Sequence, residues 1–221
     1  AQFLPRGVDA VVSYDPFVSV TLEKKIGRKI DDAFPYYLNK GYDFVRAEIH
    51  QNAPDIVQAL ADAMLEATLY TRHDIDAAVK FYHNDPRVAT AYSFDLFKDQ
   101  TKKYVTLYKP SFRYLHADFW AGQDVVVAKS QFEKKRMPRE LSIDEMKAAF
   151  VPEYMANALT QAGFTVPKSP VFLPPNWNGA VGKPPYPKYL NFATMSEPQA
   201  FPEKGDLTRP WTFGGKTYNP G

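Results

Sequence analysis

Proline is what most limits the fold of this chain. Eleven of its 19 prolines fall within residues 164–221, between Pro167 and Pro220. Each proline removes an amide donor and fixes φ, so no regular helix or central strand is expected to run through that stretch. The same stretch keeps Phe172, Trp177, Tyr186, Tyr189, Phe192, Trp211 and Phe213. A solvated linker seldom carries so many rings, and residues 164–221 are expected to form a strap pinned by them, Trp177 and Trp211 above all. Residues 1–163 are then the folded unit, large enough to bury a core of its own.

Within 1–163 the local signals alternate. Val8–Tyr14 is short, β-branched and bounded by Gly7 and Asp15-Pro16, which predicts a strand. Phe17–Ile26 carries Phe17, Val20, Leu22 and Ile26 at helical spacing, with Gly27 as its stop. Tyr42–Ile49, following Gly41, predicts a second strand. Asn52-Ala53-Pro54-Asp55 opens a long helix with a capping side chain, a proline suited to the first turn and an acid at the positive end of the dipole. Ile56, Leu60, Ala63, Met64 and Ala67 then recur every three or four residues and predict its buried face. Asp74 caps the next helix, whose face is Ile75, Ala78, Val79 and Tyr82 and which Asn84-Asp85-Pro86 ends. Thr90–Lys135 is helical in propensity, less periodic, and broken at Lys109-Pro110. Ser142-Ile143-Asp144-Glu145 spells a capping box. Pro152 restarts a helix that carries Met155, Ala158 and Leu159 and stops at Gly163.

Charge and chemistry narrow the functional classes. With 27 basic against 25 acidic side chains, a net charge of +2 gives no global field for gripping nucleic acid or an anionic membrane. Lys98, Lys102, Lys103, Lys109 and Arg113 form a local basic stretch, but Asp95, Asp99 and Asp118 dilute it, so a solvated helix face is the default. The chain has no cysteine, which excludes thiol catalysis and thiolate metal sites. His50, His73, His83 and His116 include no pair at the i, i+3 or i, i+4 spacing of a helical metal site. Gly214-Gly215-Lys216-Thr217 ends like a phosphate-binding loop, but Pro210 occupies the position of the first glycine, and no strand or helix frames it. No apolar run approaches the roughly 18–20 residues of a membrane span. No cofactor and no catalytic residue is proposed from these residues.

The first 90 residues carry more. Gly7-Val8-Asp9-Ala10 leads into Ser13-Tyr14-Asp15-Pro16-Phe17. Phe44-Val45-Arg46 follows some thirty residues later, and then Asn52-Ala53-Pro54-Asp55-Ile56-Val57-Gln58-Ala59-Leu60-Ala61-Asp62-Ala63. In this order the segments resemble the C-terminal part of the periplasmic solute-binding proteins for nitrate, taurine, alkanesulfonates and thiamine precursors, with Ala53 as an added residue. The resemblance covers roughly residues 4–90 and does not reach the proline-rich stretch. It implies an α/β, type II periplasmic-binding-protein-like fold, helix-rich in this portion, with Val8–Tyr14 and Tyr42–Ile49 in mainly parallel sheets. It also implies a cleft between two lobes, at the C-terminal ends of strands, in which Tyr14, Asp15 and Arg46 would meet a small anionic or heteroaromatic solute. Arg46 would fork onto a carboxylate, sulfonate or sulfinate.

Each of these residues has a plainer reading. Asp15 also serves as the turn former before Pro16, Arg46 as a surface charge paired with Glu48 or Asp43, and Tyr14 as a core ring. The implied partners are the solute, a missing N-terminal lobe or companion chain, and an ABC-type permease; the implied compartment is the periplasm. Because the Gly-x-Val-Asp-Ala strand lies past the middle of that family's chains, a mature or partial chain is expected here. Two other classes stay open. One is an enzyme on the same fold, such as an aryl sulfinate desulfinase or a thiamine-pyrimidine synthase, with its reactive residues in the absent lobe. The other is a non-catalytic subunit whose aromatic strap wraps a partner.

Overall fold

The computed structural model describes residues 7–31, 43–103, 117–163, 166, 210–213 and 215–219. Among them the chain is helix-rich: α1 (Phe17–Glu23), α2 (Ala47–Asn52), α3 (Pro54–His73), α4 (Ile75–His83), α5 (Pro86–Ala91), α6 (Phe94–Lys103), α7 (Ala117–Glu133), α8 (Ile143–Ala148) and α9 (Glu153–Gln161). Two short strands, β1 (Trp211–Phe213) and β2 (Lys216–Tyr218), form one antiparallel hairpin in which Trp211 opposes Tyr218.

Local chemistry sets most boundaries. The Asp74 carboxylate accepts from the Ala77 amide at 2.9 Å and starts α4 as expected. The capping box forms in full: the Glu145 amide donates to Ser142 Oγ at 3.2 Å, and the Ser142 amide donates to Glu145 Oε2 at 2.9 Å. Asp85 both follows α4 and caps α5, accepting from the Arg87 amide at 2.8 Å. Asn52 does not cap α3. It closes α2, and Ala53 takes the cap position with no side-chain bond, so Pro54 and Asp55 begin the helix without a capping side chain.

Gly27 does not stop α1 either. Lys25 turns left-handed at φ 54° two residues earlier, and the Ile26 and Lys25 amides donate back to Thr21 and Leu22 carbonyls. Lys135, at φ 57°, closes α7 in the same way, with the Arg136 amide on the Gln131 carbonyl. In both places a lysine holds a backbone conformation that glycine adopts without cost.

The core lies where α3 meets α9. Ala61, Leu65 and Leu69 pack with Met155, Ala158 and Leu159, and Met64, Tyr154, Ala162 and Val166 close around them. Both helices present rows spaced by four, Val57-Ala61-Leu65-Leu69 and Met155-Leu159, so ridge meets ridge. This corrects the expected face of α3. Ile56 and Leu60 are 60% and 46% exposed and Ala63 is exposed too, while Val57 and Leu65 are buried. The helix is apolar on two neighbouring stripes, and periodicity alone does not say which one meets a partner. Around this pair, α2 packs on α3, α4 on both α3 and α6, and α8 on α7. Lys98 of α6 pairs with Asp76 of α4 at 2.6 Å, which removes it from the basic stretch. In α1, only Val20 is buried.

Neither expected strand is present. Val8–Tyr14 is irregular backbone with its side chains open, Val12 99% and Tyr14 65% exposed. Residues 43–46 are irregular and Ala47–Ile49 is helical, while Tyr42 lies outside the described residues. The reason is physical. A parallel strand exists only through the ladder to its neighbours, and no described residue offers these segments one. Without a ladder, Ala47-Glu48-Ile49-His50 follows its own helical preference. The periplasmic-binding-protein sheet is therefore not part of the described structure.

The end of the proline-rich region, by contrast, is more regular than expected. Gly215, at φ 73°, sits in the turn between β1 and β2, and Lys216 opens β2 opposite Phe213, so the glycine-lysine sequence belongs to a hairpin. β1 packs on α3. Tyr218 is buried, its ring 5.8 Å from Tyr70 and 4.7 Å from His73, both edge-on. Trp177 and the side chain of Trp211, expected to pin the strap, lie outside the described residues, as do Lys109-Pro110, Arg113 and His116. No described helix is long and apolar enough to cross a membrane.

Candidate functional site

Tyr14 and Asp15 adjoin one another at the start of α1. The Tyr14 ring meets Phe17 edge-on at 5.3 Å, and its carbonyl accepts from the Phe17 amide at 3.0 Å. Asp15 Oδ1 accepts from both the amide and the hydroxyl of Ser19, at 3.1 and 2.8 Å. Ser19 Oγ in turn accepts from Gln100 of α6 at 2.6 Å. One oxygen of Asp15 thus organises the first turn of α1 and links it to α6. Its Oδ2 makes no hydrogen bond among the described residues.

Arg46 stands elsewhere, at the cap of α2, where it is extended (φ −62°, ψ 139°) and exposed. Its carbonyl accepts from the Ile49 and His50 amides, but among the described residues its guanidinium pairs with neither Glu48 nor Asp43. No described contact joins Arg46 to Tyr14 or Asp15. The structure therefore keeps the first two together and places the third at the start of a separate helix.

A polar junction that the sequence did not announce joins α2, α3 and α9. His50 Nδ1 lies 2.8 Å from the Tyr154 hydroxyl, and the two rings meet edge-on at 5.7 Å. Gln58 Nε2 donates to the Tyr154 carbonyl at 3.0 Å and to Asp62 Oδ1 at 2.9 Å, while its oxygen accepts from Asn157 at 3.4 Å. One turn beyond Asp62, burial first and the Asp62 charge second raise the pKa of Glu66. His50 and Tyr154 are 104 residues apart. No spacing rule connects such a pair; only the packing of α9 on α3 does.

The other two described histidines have structural partners. His73 lies against Tyr218, and His83 Nε2 is 3.0 Å from the Tyr92 carbonyl with its ring against Phe94. The described residues hold no group of three metal-binding side chains. What this arrangement offers chemically is contact and orientation: at the N-cap of α2 a cation with no carboxylate partner among the described residues, a histidine ring held by a hydroxyl, and an acid–aromatic pair at α1. No family model matches this chain, and no curated protein or solved structure matches it.

Proposed function

We propose that this chain is part of a two-lobed, type II solute-binding protein that captures a small anionic or heteroaromatic solute for an ABC-type importer, in the periplasm. What carries this reading is the order of four segments: Gly7–Ala10, Tyr14-Asp15-Pro16, Phe44-Val45-Arg46 and Asn52–Ala63. Two features of the molecule support it. Val8, Val11 and Val12 are apolar and exposed, as a strand would be when its sheet lies in another lobe. Arg46 is a cation without a carboxylate partner among the described residues. On this reading the remaining lobe, in the same protein or a companion chain, supplies the sheet and the other wall of the cleft. Tyr14 and Asp15 supply a ring and an acceptor, and Arg46 grips the anionic group.

A thermal-shift screen of the complete two-lobed protein against nitrate, taurine, short alkanesulfonates and aminopyrimidines tests the assignment. A solute-binding protein gains stability as its site fills, by about 2.7 kcal/mol at a hundredfold excess over Kd. A rise in Tm with one of these classes is expected; a flat response to all of them overturns the reading.

A further inference from the structure

We propose that the loop joining α7 to α8 is a processing site for an endoprotease specific for paired basic residues, and that the cut chain stays together as a two-chain molecule. The bond cleaved is Arg136–Met137. Lys134-Lys135-Arg136 is the one run of three basic residues in the sequence, and Lys135-Arg136 its one Lys-Arg step. The pairs Lys24-Lys25, Arg28-Lys29 and Lys102-Lys103 all end in lysine, and the last of them is helical.

The loop presents these side chains. Lys134, Lys135 and Arg136 are exposed, and none of them forms an ion pair among the described residues. Arg136 makes one long contact, 3.5 Å to Gln131 Oε1, whereas Arg139 is taken by Glu145 at 2.7 Å. Lys135 and Arg136 are thus available to two acid-lined subsites, each of which grips a cation with a carboxylate. A protease also needs extended backbone. Lys135 ends α7 left-handed, and beyond Arg136 the amides of Met137, Arg139, Glu140 and Leu141 donate no hydrogen bond among the described residues. Opening this stretch breaks little more than the frayed end of α7.

Cleavage adds water across the bond: the hydroxyl joins the Arg136 carbonyl carbon, and a proton goes to the Met137 nitrogen. Residues 1–136 and 137–221 result, and the core holds them together. Met155, Ala158 and Leu159 from the second piece pack with Ala61, Leu65 and Leu69 from the first. Gln58 donates to the Tyr154 carbonyl, β1 packs on α3, and α8 packs on α7. The cut severs a surface connection and none of these contacts.

The test is digestion of the full 221-residue chain, without denaturant, by a subtilisin-type endoprotease specific for Lys-Arg, read by intact mass and size-exclusion chromatography. The expected result is a first cut after Arg136 and two fragments that elute together, keep the circular dichroism of the uncut chain and separate in urea. Arg136→Gln should slow that cut at least tenfold with circular dichroism unchanged. A folded chain that resists while a peptide of residues 130–142 is cut overturns the site, as does a first cut at another basic pair or equal cleavage of the Arg136→Gln chain. Fragments that part without urea overturn the two-chain product.

Discussion

Glu66 is held in a setting that disfavours its charge. Partial burial and the Asp62 carboxylate one turn earlier raise its folded pKa above the ordinary 4.5. The folded state then binds the proton more tightly than the unfolded chain. Stability from this group is present at low pH and lost as pH rises from about 4.5 through the folded pKa. Glu66→Gln removes that dependence. Urea unfolding of the two proteins between pH 4 and 7 should show E66Q gaining on the wild type across that window and then holding level. A difference that stays flat with pH would mean the carboxylate is fully solvated. At this scale the sequence was legible where a side chain acts on its own turn. Asp74 and the Ser142–Glu145 box cap the helices assigned to them. Asp15 shows the limit of such reading: its place before Pro16 was plain, but its bond to Ser19, and through it the link to Gln100, depends on α6.

Helices are legible as elements, and their facing is not. The length of α3 and its start at Pro54 follow from sequence, whereas its buried stripe lies one residue over from the expected one. Two variants measure the difference. Leu65→Ala empties a 4%-exposed position in the α3–α9 core and should cost about 2–5 kcal/mol. Leu60→Ala, at 46% exposure, should stay within about 0.5 kcal/mol. Chemical denaturation of both reads the outcome, and a reversal would move the core to the outer stripe. The hairpin was missed for a different reason. Its strands are three residues long, the flanking prolines argue for irregular chain, and the glycine pair resembles the end of a phosphate loop. Only the packing of β1 on α3, and of Tyr218 on Tyr70 and His73, decides its form.

At the scale of the whole molecule, what was legible is most of the helix content and the caps at Asp74 and Ser142, whereas the cap at Asn52, the stop at Gly27 and α2 itself were not. The two expected strands depend on partners, and the described residues supply none, so Val8–Tyr14 stays open and Ala47–Asn52 coils. The candidate site divides the same way. Tyr14, Asp15 and Arg46 were visible as motif residues, while the His50–Tyr154 junction exists only because α9 folds back on α3. Capture of an anionic solute by Arg46 is the claim on which this account stands. Titration calorimetry of the proposed two-lobed protein with the best-binding solute, before and after Arg46→Ala, addresses it most directly. Loss of a charge-assisted pair should cost about 1.5–3 kcal/mol, at least a tenfold rise in Kd, with the ligand-free Tm unchanged because Arg46 is exposed and unpaired among the described residues. An unaltered Kd in the Arg46→Ala protein would contradict the account.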